Sequence, residues 1–419
     1  MTGAAVVPDG VGWVRLVFVD VFGGAHSVQL PAHRFADAVA SGAPFDGSAL
    51  EGRARHFEAD MLLRPDPSAV VNLGDGLARV ACTVAGPDGT GWPGDPRTAL
   101  QSLLDVADEL ARDYRAAAEL EFYLLGPDAR PVDHAGYFSE AEGPGMEVTR
   151  TAADRLARYG VEVVSCHSEA GPGQYELDLA PLGPLALADG LVMAKQVVRE
   201  VAGAAGLRAT FMARPFAGEP GSGLHLHQWV DNRLVRRGGR GHLDEDGRSF
   251  VAGQLVHARG LSALAAPTVN SYQRLHSGAE APSDVVWAHT NRGALIRVGS
   301  SGEGPPTIEF RGADPSANPY LLLAGLLAAA AHGMEASLPL GPAVEEDPGG
   351  FDPASDSVRL QPLPRDLDEA LDALLADDVL VDAFDSRLLS RLVDGRRAEA
   401  EVYRDQVTAW ELDRYLDEA

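Results

Sequence analysis

The sequence predicts an α+β fold: a small leading domain of strands, then a larger, mostly antiparallel sheet with helices added. Three observations carry this. Residues 11–84 hold strand candidates separated by turn residues, with one short helical segment among them. From Glu119 onward strands and helices alternate irregularly, without the regular βα repeat of a doubly wound sheet. The chain then closes in amphipathic helices from Leu367 to the end. At 419 residues it is long enough for two domains. The Gly- and Pro-rich run Gly86–Pro96 marks the boundary, giving 1–97 and 98–419.

Taken in order, VGWVRLVFVDVFGGAHSVQLP reads as two strands around a Gly23-Gly24 turn. Val14, Leu16 and Phe18 are spaced by two, and Val28 and Leu30 follow on the return. A short helix from His33 to Ser41 and a turn over Pro44–Ser48 come next, then strands at Val70-Val71 and Ala78–Val84. Arg97 opens a helix expected to run to Arg115. Helices are predicted over Ala152–Tyr159, Leu185–Ala205, Ser249–Leu264 and Asn318–Ala330. Strands are predicted over Tyr175–Leu179, Ala209–Ala213, Gly223–Val230, Ala294–Val298 and Thr307–Arg311. Three amphipathic helices are expected after Leu367, the last N-capped by Thr408.

Composition is that of a globular chain, with 45% hydrophobic and 23% charged residues. A formal net charge of −26 argues against nucleic acid or an anionic membrane as partner, since either would meet an opposing field. Cys82 and Cys166 are too few for a disulfide framework or a cysteine-only zinc site, so a reducing compartment, the cytoplasm, is expected. MTGAAVVPDG lacks the basic-then-apolar pattern of a signal peptide. The longest apolar run, Leu321–Ala331, falls short of the roughly 20 residues a membrane span requires and is expected to be a buried helix.

Chemistry is concentrated in a few short stretches. In Ala118–Leu125 two glutamates, Glu119 and Glu121, lie one residue apart in a strand-like run, so both point to one face. Two readings stand: carboxylates converging on a divalent cation, or the solvated acidic face of a half-exposed strand. Glu169 and Glu176 flank a Gly-Pro-Gly turn that folds one back toward the other. Gly221–His227 puts His225 and His227 on one strand face, and Thr307–Arg311 does the same for Glu309 and Arg311. Five glutamates and a histidine thus suit an oxygen-rich, two-metal site. Arg274, Arg292, Arg297 and Arg311, expected in loops or strands, suit carboxylate and phosphate recognition. Metals beside arginines in an acidic protein point to ATP-dependent chemistry on an anion, and no Walker-type P-loop is present.

Together these stretches resemble the bacterial-type glutamine synthetase family over nearly the whole chain. The matching motifs are FDGS (Phe45–Ser48), PGDPR (Pro93–Arg97), AELEF (Ala118–Phe122), GYF (Gly136–Phe138), the Glu169–Glu176 turn, GSGLHLH, NSYQRL with GAEAP (Asn270–Pro282), NRGALIRV and IEFRGADPSANPY. The resemblance implies a β-grasp N-terminal domain, a catalytic domain with a curved antiparallel sheet flanked by helices, and a homododecamer of two hexameric rings with sites between subunits. It implies Glu121, Glu169 and Glu176 as ligands of a substrate-side metal, and Glu119, His225 and Glu309 as ligands of a nucleotide-side metal, two or three Mg2+ or Mn2+ ions in all. Arg274, Arg311, Glu121, Gly221 and Tyr137 would contact glutamate or the amine. Arg292, Arg297, His227 and Trp229 would hold ATP. Asp46 would accept a proton from the ammonium in a neighbouring subunit's site, and Glu280 would close over the acyl phosphate.

Several positions depart from the family pattern. Pro220 stands where Asn is usual in the Asn-Gly-Ser-Gly loop, and Ala49 replaces a serine of the ammonium pocket. Val164, Trp229 and Gly304 replace a glutamate, a serine and a lysine on the nucleotide side. No adenylylation tyrosine motif occurs between Leu340 and Leu367. These changes favour a ligase joining glutamate to a small organic amine. A divergent glutamine synthetase using ammonium is the alternative, supported by the retention of Asp46, Tyr137 and Glu280, and a silent oligomeric scaffold is the third reading.

Overall fold

The computed structural model describes residues 7–47, 50, 60–140, 143–230, 234, 243–276, 281–299, 307–345 and 360–417. Ala49, Glu280, Gly304 and much of the stretch between Leu340 and Leu367 lie outside the described residues.

The leading domain is built on β1 (Trp13–Val19) and β2 (Ala25–Pro31), an antiparallel hairpin in which Val14 pairs with Leu30 and Leu16 with Val28. Its turn is closed by Asp20, whose carboxylate accepts from the backbone N–H of Phe22 at 3.0 Å and of Gly24 at 2.8 Å. After one 3-10 turn come α1 (Phe35–Ser41), β3 (Ala43–Phe45), β4 (Met61–Gly74) and β5 (Leu77–Ala85). The sheet order is β2-β1-β5-β4-β3, with β1 and β5 parallel at its centre. Val14, Leu16, Leu63 and Val80 are fully buried beneath α1 and Phe35. Two expectations are corrected here. Pro44 and Phe45 belong to β3 rather than a turn, and β4 starts at Met61, well before Val70. Alternation holds through Pro65 and Asp66 and lapses at Pro67, which is tolerated where the pairing with β5 slips between Pro65 and Val70.

The second sheet has the order β11-β12-β13-β10-β6-β8-β7, with β9 paired to β6. Its strands are β6 (Tyr114–Leu125), β7 (Val163–Ser168), β8 (Gln174–Leu182), β9 (Arg208–Thr210), β10 (Leu224–Val230), β11 (Trp287–Ala288), β12 (Ile296–Gly299) and β13 (Thr307–Phe310). All pairings are antiparallel except the short β11–β12. On β6, Ala116, Ala118, Leu120, Phe122 and Leu124 are buried on one face while Glu119 and Glu121 share the other. A slip of one residue would drive both glutamates into that core, so burial fixes the register.

Helices α2 (Pro96–Val106), α3 (Asp108–Asp113), α4 (Pro144–Arg158), α5 (Pro184–Ala204), α6 (Glu245–Val256), α7 (Ala258–Ala265), α8 (Val269–Leu275) and α9 (Pro319–Glu335) complete the body of the domain. The helix opening near Arg97 breaks at Ala107 and ends at Asp113, because Tyr114 already joins β6 as a buried residue. The long helix expected over Ser249–Leu264 breaks at His257, and strand character at Ala209–Ala213 stops at Thr210. The apolar run Leu321–Ala331 lies within the buried helix α9, and no helix among the described residues is long and apolar enough to cross a membrane. Four helices, not three, end the chain: α10 (Leu367–Leu375), α11 (Asp378–Asp382), α12 (Ser386–Arg404) and α13 (Ala409–Tyr415). The last carries the Thr408 cap, in a capping box with Glu411.

Arg97 of the PGDPR motif ties the leading domain's sheet to the helices of the second domain. Its guanidinium donates to both oxygens of Asp189 on α5, at 3.1 and 2.9 Å, and to Asp66 on β4 at 2.8 Å. Tyr320 on α9 donates to the same Asp189 at 2.5 Å. The charges are buried but mutually satisfied, so the pairing specifies how leading domain and helices dock.

Candidate active site

Cross-strand register assembles one row of polar side chains across the face of the second sheet opposite its apolar core. His167 on β7 faces Glu176 on β8, and Glu176 faces Glu121 on β6. Glu119 faces His225 on β10, His227 faces Glu309 on β13, and Glu309 faces Arg297 on β12. Residues far apart in sequence thus meet because each strand presents every second side chain to this face.

Among the described residues, three ligand groups come close enough to share cations. Atoms of Glu119, His227 and Glu309 lie within 4.8 Å of one another, as do those of His167, Glu169 and Glu176, and those of Glu119, Glu176 and Asp178. His225 Nδ1 lies 2.7 Å from Glu119 and 3.8 Å from Glu309, so it joins the first group. His167 lies 3.5 Å from Glu169 and 3.3 Å from Glu176. The donor set, carboxylate oxygens with imidazoles, suits a hard or borderline divalent cation.

Electrostatics support that fit. Burial pushes the Glu176 carboxyl up to about 12, reinforced by the charges of Glu119, Glu121 and Asp178. Such a group stays protonated unless positive charge is placed beside it, which a divalent cation would do. Burial opposes ionisation of Glu119, yet hydrogen bonds from His225 and His227 outweigh it and hold that carboxyl well below its usual range. Burial likewise opposes charge on Glu309, and Arg311 with the two histidines outweighs it. The solvated-face reading does not fit Glu121, which is 8% exposed and whose Oε2 accepts from Gln174 at 3.0 Å and from the Gly223 N–H at 2.8 Å.

Beside the row opens a cavity of about 300 Å³ lined by Glu121, Glu169, Gly221, His225, Arg274 and Arg311, among others. Arg274 lies on α8, not in a loop or strand as expected. The helix is announced by Thr268, whose capping box with Ser271 starts it. Arg274 is buried and donates to the carbonyls of Ala313 at 3.0 Å and Arg311 at 3.3 Å. Arg311 contacts Glu309 and donates through Nε to the Arg292 carbonyl at 3.0 Å. A Cβ on Gly223 would stand 2.5 Å from His225 Nε2 and 2.9 Å from Arg274 Nη2, so a side chain there would displace both groups. A Cβ on Gly221 would meet the Ala213 carbonyl and Arg274, both at 2.6 Å.

The remaining expected residues fall around this centre. Trp229 follows His225 and His227 on the same face of β10, half-buried at the outer end of the row. Tyr137 packs 4.0 Å from Phe138 and 5.9 Å from His167, centroid to centroid, and Arg292 hydrogen-bonds its hydroxyl. Pro220 accepts from the Tyr123 hydroxyl at 2.7 Å, so its carbonyl anchors the loop before Gly221. Asp46 is not brought to the cavity: it is exposed just beyond β3, on the leading domain. Sequence reasoning missed His167, Gln174, Asp178 and Arg214, which stand in or beside the row or line the cavity. The alternation Ser165, His167, Glu169 was the available signal for the first.

Comparison with known proteins agrees with this architecture. A profile described as "Glutamine synthetase, beta-Grasp domain" matches residues 10–87, and one described as "Glutamine synthetase, catalytic domain" matches residues 93–415. The glutamine synthetase of Halobacterium salinarum is 35% identical over 428 residues, covering 98% of this chain and 94% of that protein. That of Thermus thermophilus is 36% identical over 433 residues, covering 98% and 97%. A solved structure titled "GmaS/ADP complex-Conformation 1", a γ-glutamylmethylamide synthetase, superposes with a TM-score of 0.89 at 30% identity over 100% of both chains. With its β-grasp leading domain, its catalytic sheet and these relatives, the chain belongs to the glutamine synthetase family and is an ATP-dependent ligase that forms C–N bonds.

Proposed function

We propose that the protein activates the γ-carboxylate of glutamate with ATP and joins it to a small organic amine, giving a γ-glutamylamide. The observation that carries the choice of amine is likeness to GmaS over the full length of both chains, at 30% identity. In the site, Tyr137, Phe138 and His167 form an aromatic wall next to Glu169 and Glu176, with the ring of Phe138 4.7 Å from that of His167, a π-rich surface that suits an ammonium or an alkylammonium alike.

In this reading Arg274, with Gly221 and Glu121, holds glutamate in the cavity. Arg292 and Arg297 hold the phosphates of ATP, and His227 and Trp229 border the nucleotide. Glu121, Glu169 and Glu176 would hold a substrate-side cation with His167, and Glu119, His225 and Glu309 a nucleotide-side cation with His227. When bound, Mg2+ or Mn2+ offsets charge on the phosphates. The carboxylate oxygen of glutamate attacks the γ-phosphorus of ATP, the bond to ADP breaks, and γ-glutamyl phosphate forms. Arg311 neutralises charge on the transferred phosphoryl group. Asp46 of a neighbouring subunit takes a proton from the ammonium group, freeing its lone pair to attack the acyl carbon and expel phosphate. Glu280 closes over the intermediate, excludes water and takes the second proton that the nitrogen loses as the amide forms. The assembly that allows this sharing is a dodecamer of two hexameric rings, in the cytoplasm.

A second reading, ammonium as acceptor, is favoured by the curated relatives, which are named glutamine synthetases at 34–36% identity. Both readings require an acyl phosphate. Hydroxylamine supplied with ATP, Mg2+ and glutamate should therefore yield γ-glutamyl hydroxamate. Absence of hydroxamate with active-site arginines intact would return the protein to the scaffold reading.

A further inference from the structure

Away from the active site, a cleft separates the β1–β2 turn of the leading domain from α5. Two adjoining cavities, of about 440 and 270 Å³, share Gly23, Gly24, Lys195 and Arg199 as walls. Lys195 and Arg199 are one helical turn apart, so both side chains leave the same face of α5. Among the described residues neither has a carboxylate within ion-pair distance. Lys195 donates only to the Pro315 carbonyl, at 3.0 Å, and the Arg199 guanidinium stacks over the Phe211 ring, 4.8 Å from its centroid. Of the acids nearby, Asp20 closes its own turn and pairs with His26 at 2.8 Å, and Glu200 faces Arg15 and Arg155. Buried Asp314 is bonded by Ser316 through Oδ1 alone and lies beyond ion-pair distance of Lys195. Burial, with Arg199 adding, brings the Lys195 ammonium down to about 8, against the weaker pull of Asp314. A desolvated ammonium without an ion-pair partner, one turn from a second cation, is conspicuous in a chain of net charge −26.

We propose that this cleft is an anion-binding site in which Lys195 and Arg199 together hold a small dianion, a tetrahedral oxyanion or a dicarboxylate. The guanidinium, positioned by Phe211, offers a fork for two oxygens, and the ammonium supplies a point charge from one turn earlier. The site is distinct from the nucleotide and glutamate positions, because its walls are α5, the β1–β2 turn and the segment after β9. Thr268 and Asn270, at the start of α8, also line the larger cavity. Asn270 is bonded to the Arg214 backbone in both directions, at 2.8 and 2.9 Å, so the cleft backs onto the elements that carry Arg214 and Arg274.

The test uses the full-length oligomer in three forms: wild type, R199Q and K195Q. R199Q is the safer variant, because the exposed Arg199 makes only a ring contact. Crystals soaked in sodium tungstate should show an anomalous peak between Lys195 and Arg199 in wild type, lost in R199Q and K195Q. Titration calorimetry with inorganic phosphate and, separately, malonate should give a class of sites weakened at least about tenfold in R199Q. Tighter phosphate binding identifies an oxyanion site, and tighter malonate binding a dicarboxylate site. No peak in the cleft, or a peak and affinity unchanged in both variants, overturns the proposal.

Discussion

Glu119 Oε2 lies 2.7 Å from His225 Nδ1, across a strand pair whose register sets the two residues directly opposite. His227 Nε2, two residues on, lies 2.7 Å from the other oxygen of the same carboxylate. One glutamate thus bridges two histidines, and Glu309 stands at the far side of the group. Replacing Glu309 by Gln keeps its shape and removes its charge. E309Q should weaken Mg2+-dependent thermal stabilisation and lower ATP-dependent phosphate release by at least about 100-fold. Full activity at ordinary Mg2+ would remove Glu309 from the metal group.

His167 was not legible as a ligand before the structure, yet it touches both Glu169 and Glu176. H167N should raise the metal concentration for half-maximal activity by about 10–100-fold, with much of the rate recovered at saturating Mn2+. A metal dependence identical to wild type would confine His167 to the aromatic wall.

Arg97 is 3% exposed and bound to Asp189 and Asp66. R97M leaves both carboxylates without their cation and should cost about 3–5 kcal/mol in urea unfolding. A loss below about 1 kcal/mol, the range of an exposed pair, would show that the clasp contributes little.

Asp95 caps α2 through Thr98, and burial pushes its carboxyl up to about 6 from an ordinary 3.8, against the two hydrogen bonds from Thr98. A raised acid destabilises the fold when ionised. The penalty is absent below the unfolded value, develops between about pH 4 and 6, and is complete above 6. D95N keeps a capping oxygen without the charge, so it should be more stable than wild type at pH 7, by at most about 3 kcal/mol, and equal to it near pH 4. A difference independent of pH would contradict the assignment.

Asp46 sits exposed on the leading domain and does not line the cavity of its own chain. If it serves a neighbour, D46N and E309Q, each inactive alone, should complement when co-expressed. Random mixing in a ring rebuilds about a quarter of the sites. Mixed oligomers with no activity would place Asp46 outside the shared site.

Much of this was legible in local spacing. The alternation of β1, β6 and β10 and the E-x-E and H-x-H pairs place side chains on a face whatever the partners are. What was not legible depended on distant chain. Val163–Ser168 has little apolar alternation and becomes β7 only by pairing with β8. The break at His257 follows from its contacts, 2.7 Å to Asp377 and 2.9 Å to His332, both far along the chain. Gln174 reads as a turn residue until its amide is seen on Glu121.

The most direct measurement of the central claim is ATP-dependent phosphate release with Mg2+ and glutamate, each acceptor tested in turn and its amide identified by mass. The panel is ammonium, methylamine, ethanolamine, putrescine and spermine. Preference for an organic amine is the result predicted. Turnover with ammonium alone would contradict it and leave a divergent glutamine synthetase.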